Sequence, residues 1–150
     1  MRASDVMRPA IVVHPDDPAR QLVDALRDEE VRAVAVVSEH HELLGMVTDE
    51  DLLYCLLPPY VLDDDELMGL LEGDADAELR RRLQGKRVKN VVNVRRRRAP
   101  PVAPDDSLVE VTRAMVRAGE PSLLVVDGHE VVGVITVDHV LPALLGRSPR

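Results

Sequence analysis

Large aromatic residues are almost missing from this chain: there is no tryptophan and no phenylalanine, and Tyr54 and Tyr60 are the only tyrosines. A core must therefore be built from Val, Leu, Ile, Met and Ala, and the stacking platforms that hold single-stranded nucleic acid are lacking. The lone cysteine, Cys55, excludes an internal disulfide and a thiolate zinc cluster; it agrees with a reducing compartment and reads as a small apolar helix residue. No uninterrupted apolar run approaches the roughly 18 residues of a membrane span. The start, Met1-Arg2-Ala3-Ser4-Asp5, lacks the apolar stretch of a secretory signal, so a cytoplasmic location without a membrane partner is expected. Positive charge is in deficit, 19 Lys and Arg against 27 Asp and Glu for a net −8, which repels polyanions at long range. There is no Gly-x-Ser-x-Gly elbow, no phosphate-cradling loop with Lys, and no Cys–His context for a nucleophile. The five histidines lack metal-ligand spacing, so neither an enzyme nor a metal site is expected.

What the chain has instead is a repeat. The stretch Leu43-Leu44-Gly45-Met46-Val47-Thr48-Asp49-Glu50-Asp51-Leu52-Leu53 returns as Val131-Val132-Gly133-Val134-Ile135-Thr136-Val137-Asp138-His139-Val140-Leu141. Gly133 lies 88 residues after Gly45 (133 − 45) and Thr136 lies 88 after Thr48 (136 − 48), so the register holds across the motif. In each copy a Gly, two apolar residues and a Thr lead into an apolar-periodic segment, the pattern of a strand, a Thr N-cap and a helix. Duplication at this length means two similar halves, not a solenoid of many short units. Neither half is large enough to bury a sufficient core alone, so the 150 residues are expected to form one body.

In the first half, Asp17 before Pro18 signals a helix start, with Leu22, Val23 and Leu26 on one face up to Glu29 or Glu30. Ala33 to Val37 is too apolar to alternate and predicts a strand buried on both faces. After the turn Ser38 to Glu42 and the Gly45 strand, a helix is predicted over Asp49 to Leu57, with Leu52, Leu53, Leu56 and Leu57 inward and Pro58-Pro59 ending it. The second half follows the same order. Arg87 to Val92 parallels Arg2 to Met7, four residues are gained around Asn93 to Arg98, and Pro104-Asp105-Asp106 answers Pro15-Asp16-Asp17. A helix from Ser107 to Ala118 turns Leu108, Val111 and Met115 inward behind a Ser107–Glu110 capping box. Leu123 to Val126 is a buried strand, Asp127-Gly128 a tight turn, and Val137 to Leu145 a last helix that Pro142 should kink. Between the halves, two amphipathic pieces are predicted: Asp64 to Glu72 with Leu67, Leu70 and Leu71, and Ala75 to Gln84 with Leu79 and Leu83.

With the short β-branched run that ends at Val13 as its opening strand, the first half runs strand, helix, strand, strand, helix, and the second follows that order, each with Gly-x-x-Thr leading into the last helix. In this order and motif the chain resembles the CBS domain, the tandem module named after cystathionine β-synthase. The resemblance covers residues 1–57 and 86–150 as two repeats, with 58–85 as a helical insertion. It implies an α/β (α+β) fold of two tandem β-α-β-β-α repeats with pseudo-twofold symmetry, a Bateman module. Its clefts would bind an adenosine-type small molecule such as AMP, ADP, ATP, NAD or S-adenosylmethionine, and two modules would pair as a homodimer. Where the family often has Pro, this chain has Ala35 and Leu124. The last motif position, Asp51, is answered by His139, with Asp138 one residue early.

A ribose offers two adjacent hydroxyls, and the ionised carboxylate of Asp51 can accept from both. Thr48 and the free N–H groups of the helix start can face a phosphate. The resemblance places adenine against Ala10, Ile11 and Val12 and against Arg32, Ala33 and Val34. Asp49 and Glu50 oppose a multiply charged phosphate chain, which favours AMP, adenosine or a sulfonium ligand over ATP. Thr-x-x-Asp is also a plain helix cap. In the second cleft, Thr136, Asp138 and His139 stand where the carboxylate is lost, because neutral imidazole has one acceptor nitrogen. That cleft is expected to be empty or to bind differently, with phosphate held by Arg97 and Arg98. Arg80-Arg81-Arg82, the Arg95 to Arg98 run and Lys86-Arg87-Lys89 are the sole basis for nucleic-acid binding, against which the net charge and missing aromatics argue. The expected function is a non-catalytic, ligand-sensing regulatory module that requires no cofactor and signals by conformational change to an unknown protein partner. The alternative is a structural interaction module with degenerate clefts, whose insertion is the contact surface.

Overall fold

The structure is a computed structural model that describes residues 1–27, 32–57, 75–92 and 99–147. The first half comprises α1 (Ala3–Val6), β1 (Val12–Val13), α2 (Arg20–Leu26), β2 (Ala33–Val37), β3 (Leu43–Thr48) and α3 (Asp49–Leu56). Helix α4 (Ala75–Gln84) follows and packs on α3. The second half comprises α5 (Val88–Val91), α6 (Leu108–Ala118), β4 (Ser122–Asp127), β5 (Glu130–Thr136) and α7 (Val137–Leu144). The tandem α+β architecture expected from the repeat is the one observed. The predicted piece Asp64 to Glu72, the helix end at Glu29 or Glu30 and the Arg95 to Arg98 run lie outside the described residues.

The first sheet has the order β1-β2-β3, with β1 parallel and β3 antiparallel to β2. The second pairs β4 with β5, and Val102 bridges Val125 in parallel where a counterpart of β1 belongs. Ala33 stands opposite Thr48 and Ser122 opposite Thr136, and each ladder slips once, after Val36 and after Val125. The duplication thus extends to a bulge that no residue pattern announces. In the second hairpin, Gly128 at φ 65° supplies the left-handed conformation that a two-residue turn needs at its first position.

The two halves exchange their leading segments. Ala3 and Val6 are buried with Val111, Met115, Leu123 and Ile135 of the second half, while Val88 and Val91 are buried with Leu22, Val34, Val47 and Leu52 of the first. Backbone bonds fix both crossings: Ala3 N–H to the Asp106 carbonyl at 2.8 Å and Leu108 N–H to Met1 at 3.1 Å, mirrored by Val88 N–H to Asp17 at 2.9 Å and Ala19 N–H to Lys86 at 3.0 Å. Arg8 also adds to the edge of β5, exchanging two 2.9 Å bonds with Val134. Such close backbone approach explains Gly133, where a Cβ would lie 2.7 Å from Met7 Sδ and 3.0 Å from the Arg8 carbonyl oxygen. A third cluster lies between the sheets, with Ala33, Ala35, Val37 and Met46 against Leu124 and Val134. β2 is therefore buried on both faces, as predicted, because Val34 and Val36 turn to the helices and Ala33, Ala35 and Val37 to the other half.

Local readings hold where the neighbour is local. Helix α6 buries Leu108, Val111 and Met115 behind the Ser107–Glu110 box, with Glu110 N–H to Ser107 Oγ at 3.2 Å and Ser107 N–H to Glu110 Oε2 at 2.7 Å. Others need correction. Helix α2 begins at Arg20, and the Asp17 carboxylate accepts from His14 N–H at 2.8 Å instead of capping it. Val23 is exposed, and so is Leu53, at 64%. A short helix docked by one edge has room inward for Leu22 and Leu52 alone, with Leu26 and Cys55 at the margin. In the insertion, Leu83 packs on the first core and Leu79 is half-buried.

Candidate functional site

Thr48 ends β3 and caps α3. Its backbone is extended (φ −107°, ψ 169°), which frees the hydroxyl to accept from Asp51 N–H at 3.4 Å, while Asp51 Oδ2 accepts from Thr48 N–H at 2.8 Å. This reciprocal pair is a capping box. It is also buried, Asp51 to 2% exposure, whereas the equivalent box on α6 is exposed. A carboxylate has about four lone-pair sites, and the cap uses one. The exposed acids Asp49 and Glu50 follow directly.

The junction in the second half is chemically different. Thr136 has the same extended backbone but makes no side-chain cap; its Oγ1 lies 3.1 Å from His139 Nδ1. Both are buried, and Asp138 is exposed on the following helix. Three adjacent buried polar groups result, because Ser122 faces Thr136 across the ladder. Arg97 and Arg98 lie outside the described residues. Among those described, Arg113 and Arg117 flank a cleft of about 470 Å³ beside Ala99 and Pro100.

The residues expected around adenine are gathered on the first sheet. Val12 pairs with Ala35, the Ile11 carbonyl accepts Ala35 N–H at 3.0 Å, and Ala33 lies opposite Thr48. Within that group, Val34 turns its side chain into the first core, Ala10 is half-buried and Arg32 is exposed. A cleft of about 300 Å³ flanks β3, lined there by Leu43, Leu44, Gly45 and Met46, and its other lining residues are Ala99, Pro101, Leu123 and Leu124 of the second half. Sequence reasoning missed that wall. The repeat offset carried the signal, since Ala99 and Pro101 stand 89 residues after Ala10 and Val12 (99 − 10, 101 − 12).

The two sheets, the duplicated junctions and the cleft that both halves line are those of a tandem repeat pair. The family model of the CBS domain matches residues 3–58 and 88–146, and the chain belongs to that family. A CBS domain-containing protein of unknown function from Kribbella flavida is similar in structure, with a TM-score of 0.79 at 26% identity over 97% of this chain and 99% of that one. CBSX2, a protein of Arabidopsis thaliana, solved in complex with AMP, gives 0.67 at 24% identity over 97% and 96%. The CBS domain pair of MJ0100, in complex with 5′-methylthioadenosine and S-adenosyl-L-methionine, gives 0.68 at 19% identity over 97% and 96%. No curated protein sequence matches the chain. Among the described residues, no helix is long and apolar enough to cross a membrane.

Proposed function

We propose that the protein is a non-catalytic sensor of an adenosine-containing ligand, AMP-like, held in the cleft that joins the two halves. The observation that carries this reading is the buried Thr48–Asp51 pair at the end of the cleft-lining strand β3. Asp51 would accept the ribose hydroxyls, and Thr48 with the α3 N-terminus would face the phosphate. The base would lie against Ala99, Pro101, Leu123 and Leu124. By pseudo-symmetry, Ala10, Ile11, Val12, Arg32, Ala33 and Val34 would serve the opposite cleft, whose polar end holds Thr136 and His139. Complexes of CBSX2 with AMP and of the MJ0100 pair with S-adenosyl-L-methionine support the ligand class. The exposed Asp49 and Glu50 oppose a triphosphate and favour a monophosphate or a sulfonium.

A ligand touching both halves stabilises one arrangement of them by its differential affinity, and this shift would be the signal to a protein partner. Self-association belongs to the same reading. Leu53 and Leu141 occupy equivalent places 88 residues apart (141 − 53), and both are exposed. A double Leu53→Glu, Leu141→Glu variant should sediment as a monomer where the parent sediments as a dimer; a monomeric parent removes the homodimer. For the ligand, thermal unfolding with AMP, ATP and S-adenosylmethionine decides. At about a hundred times its dissociation constant, a ligand adds roughly 2.7 kcal/mol, a shift of several degrees. Asp51→Asn retains an acceptor for Thr48 N–H and should abolish most of the rise. If no compound acts on folded, ligand-free protein, the sensor reading is lost for this panel.

A further inference from the structure

Ser122 opens β4 one residue before the cleft wall, at 1% exposure, and its Oγ has no hydrogen-bond partner among the described residues. Strand alternation places it on the face of β4 that carries Leu124, which lines the cleft and belongs to the cluster between the sheets. The Thr136 hydroxyl opposite is engaged with His139 Nδ1. At the equivalent position the first half has Ala33, with no polar atom to satisfy. A hydroxyl left buried and unpaired opposes folding, so its presence beside an apolar cleft needs a compensating partner. The wall residues Ala99, Pro101, Leu123 and Leu124 offer apolar side chains. They suit the flat face of a heteroaromatic base, and a single hydroxyl beside them suits its edge.

We propose that Ser122 Oγ is a specificity-determining contact for the base of the ligand bound in the inter-half cleft, and that its pairing is completed by that ligand. This rests on the sensor reading above. A serine hydroxyl donates one hydrogen bond and accepts others, so it can meet either a ring nitrogen or an exocyclic amine.

The test is isothermal titration of the full chain, its Ser122→Ala variant and Asp51→Asn with AMP and with adenosine, beside thermal unfolding of each protein without ligand. Ser122→Ala should weaken AMP and adenosine alike by about three- to tenfold, the worth of one neutral hydrogen bond. Its ligand-free midpoint should stay level or rise, because no bond is lost. Asp51→Asn weakens binding through the ribose and reports on the underlying reading alone. If the parent binds AMP and Asp51→Asn impairs it while Ser122→Ala binds as the parent does, Ser122 is no contact. A drop in the ligand-free midpoint assigns Ser122 a structural partner and overturns the inference, as does a loss seen with AMP but not adenosine. If the parent binds neither compound, the sensor reading and this inference fall together.

Discussion

The two halves share a strand–Thr–helix junction and put different chemistry into it. In the first, a carboxylate folds back on the Thr48 backbone and gathers negative charge at the start of α3. In the second, His139 meets the Thr136 hydroxyl and leaves the backbone cap unmade. Their inner strand positions differ as well, Ala33 in one and Ser122 in the other. A duplicated frame can hold its backbone geometry to the level of a shared bulge while its two polar ends diverge, because strand pairing and inter-sheet packing depend little on the side chain three residues into a helix. The junction with the carboxylate suits a diol, and the one with imidazole does not.

The largest expected effect breaks the backbone symmetry. Gly133→Ala should cost about 1–3 kcal/mol in urea unfolding, since its Cβ would meet Met7 and the Arg8 carbonyl oxygen and the backbone has little room to yield. Gly45→Ala meets Val92 Cγ1 at 3.3 Å, a side-chain contact that can give, and should cost less than about 1 kcal/mol. Equal costs would show that the two crossings are equally tight.

Chemical symmetry can be restored. His139→Asp rebuilds the box of the first half at Thr136, and titration with AMP should then saturate at two equivalents per chain where the parent takes one. Unchanged stoichiometry in a folded variant would mean that the carboxylate is not what separates the clefts.

The smallest effect concerns the exchanged segments. The Asp16 carboxyl is held below its ordinary value of 3.8, first by the hydrogen bond and charge of Lys89, 3.0 Å away on the crossing segment, then by Arg87. A carboxyl with a lowered folded pKa stabilises fully above its unfolded value and loses that contribution as pH falls through the folded one. The acid limb of stability below pH 3.8 should therefore be slightly shallower in Asp16→Asn, with no change in slope near neutrality. Because the pair lies at the exposed surface and is screened, high salt should erase the difference.

Much of this was legible beforehand. The duplication, the element order, the buried β2 and the Ser107–Glu110 box follow from period and capping chemistry, which act within a few residues. Val23 and Leu53 are exposed despite their helical spacing, because periodicity marks which residues share a helix face, and not how wide a neighbour is available to cover it. Nor does any local pattern say that Ala3 and Val6 bury themselves in the second half, or that Ala99 and Pro101 complete a cleft begun by Gly45.

By itself, then, the sequence determined two CBS repeats, their internal register and the placement of one carboxylate and one imidazole at matching helix starts. Tertiary structure alone decided the exchange of leading segments, the need for glycine at 133, the placing of the far wall against β3 and the burial of the Ser122 hydroxyl without a partner among the described residues. Hydrogen bonding along the chain and side-chain period are set by neighbours in sequence. The partner across an apolar face is set by which surfaces exclude water together, and many sequences of the same period would satisfy that equally well.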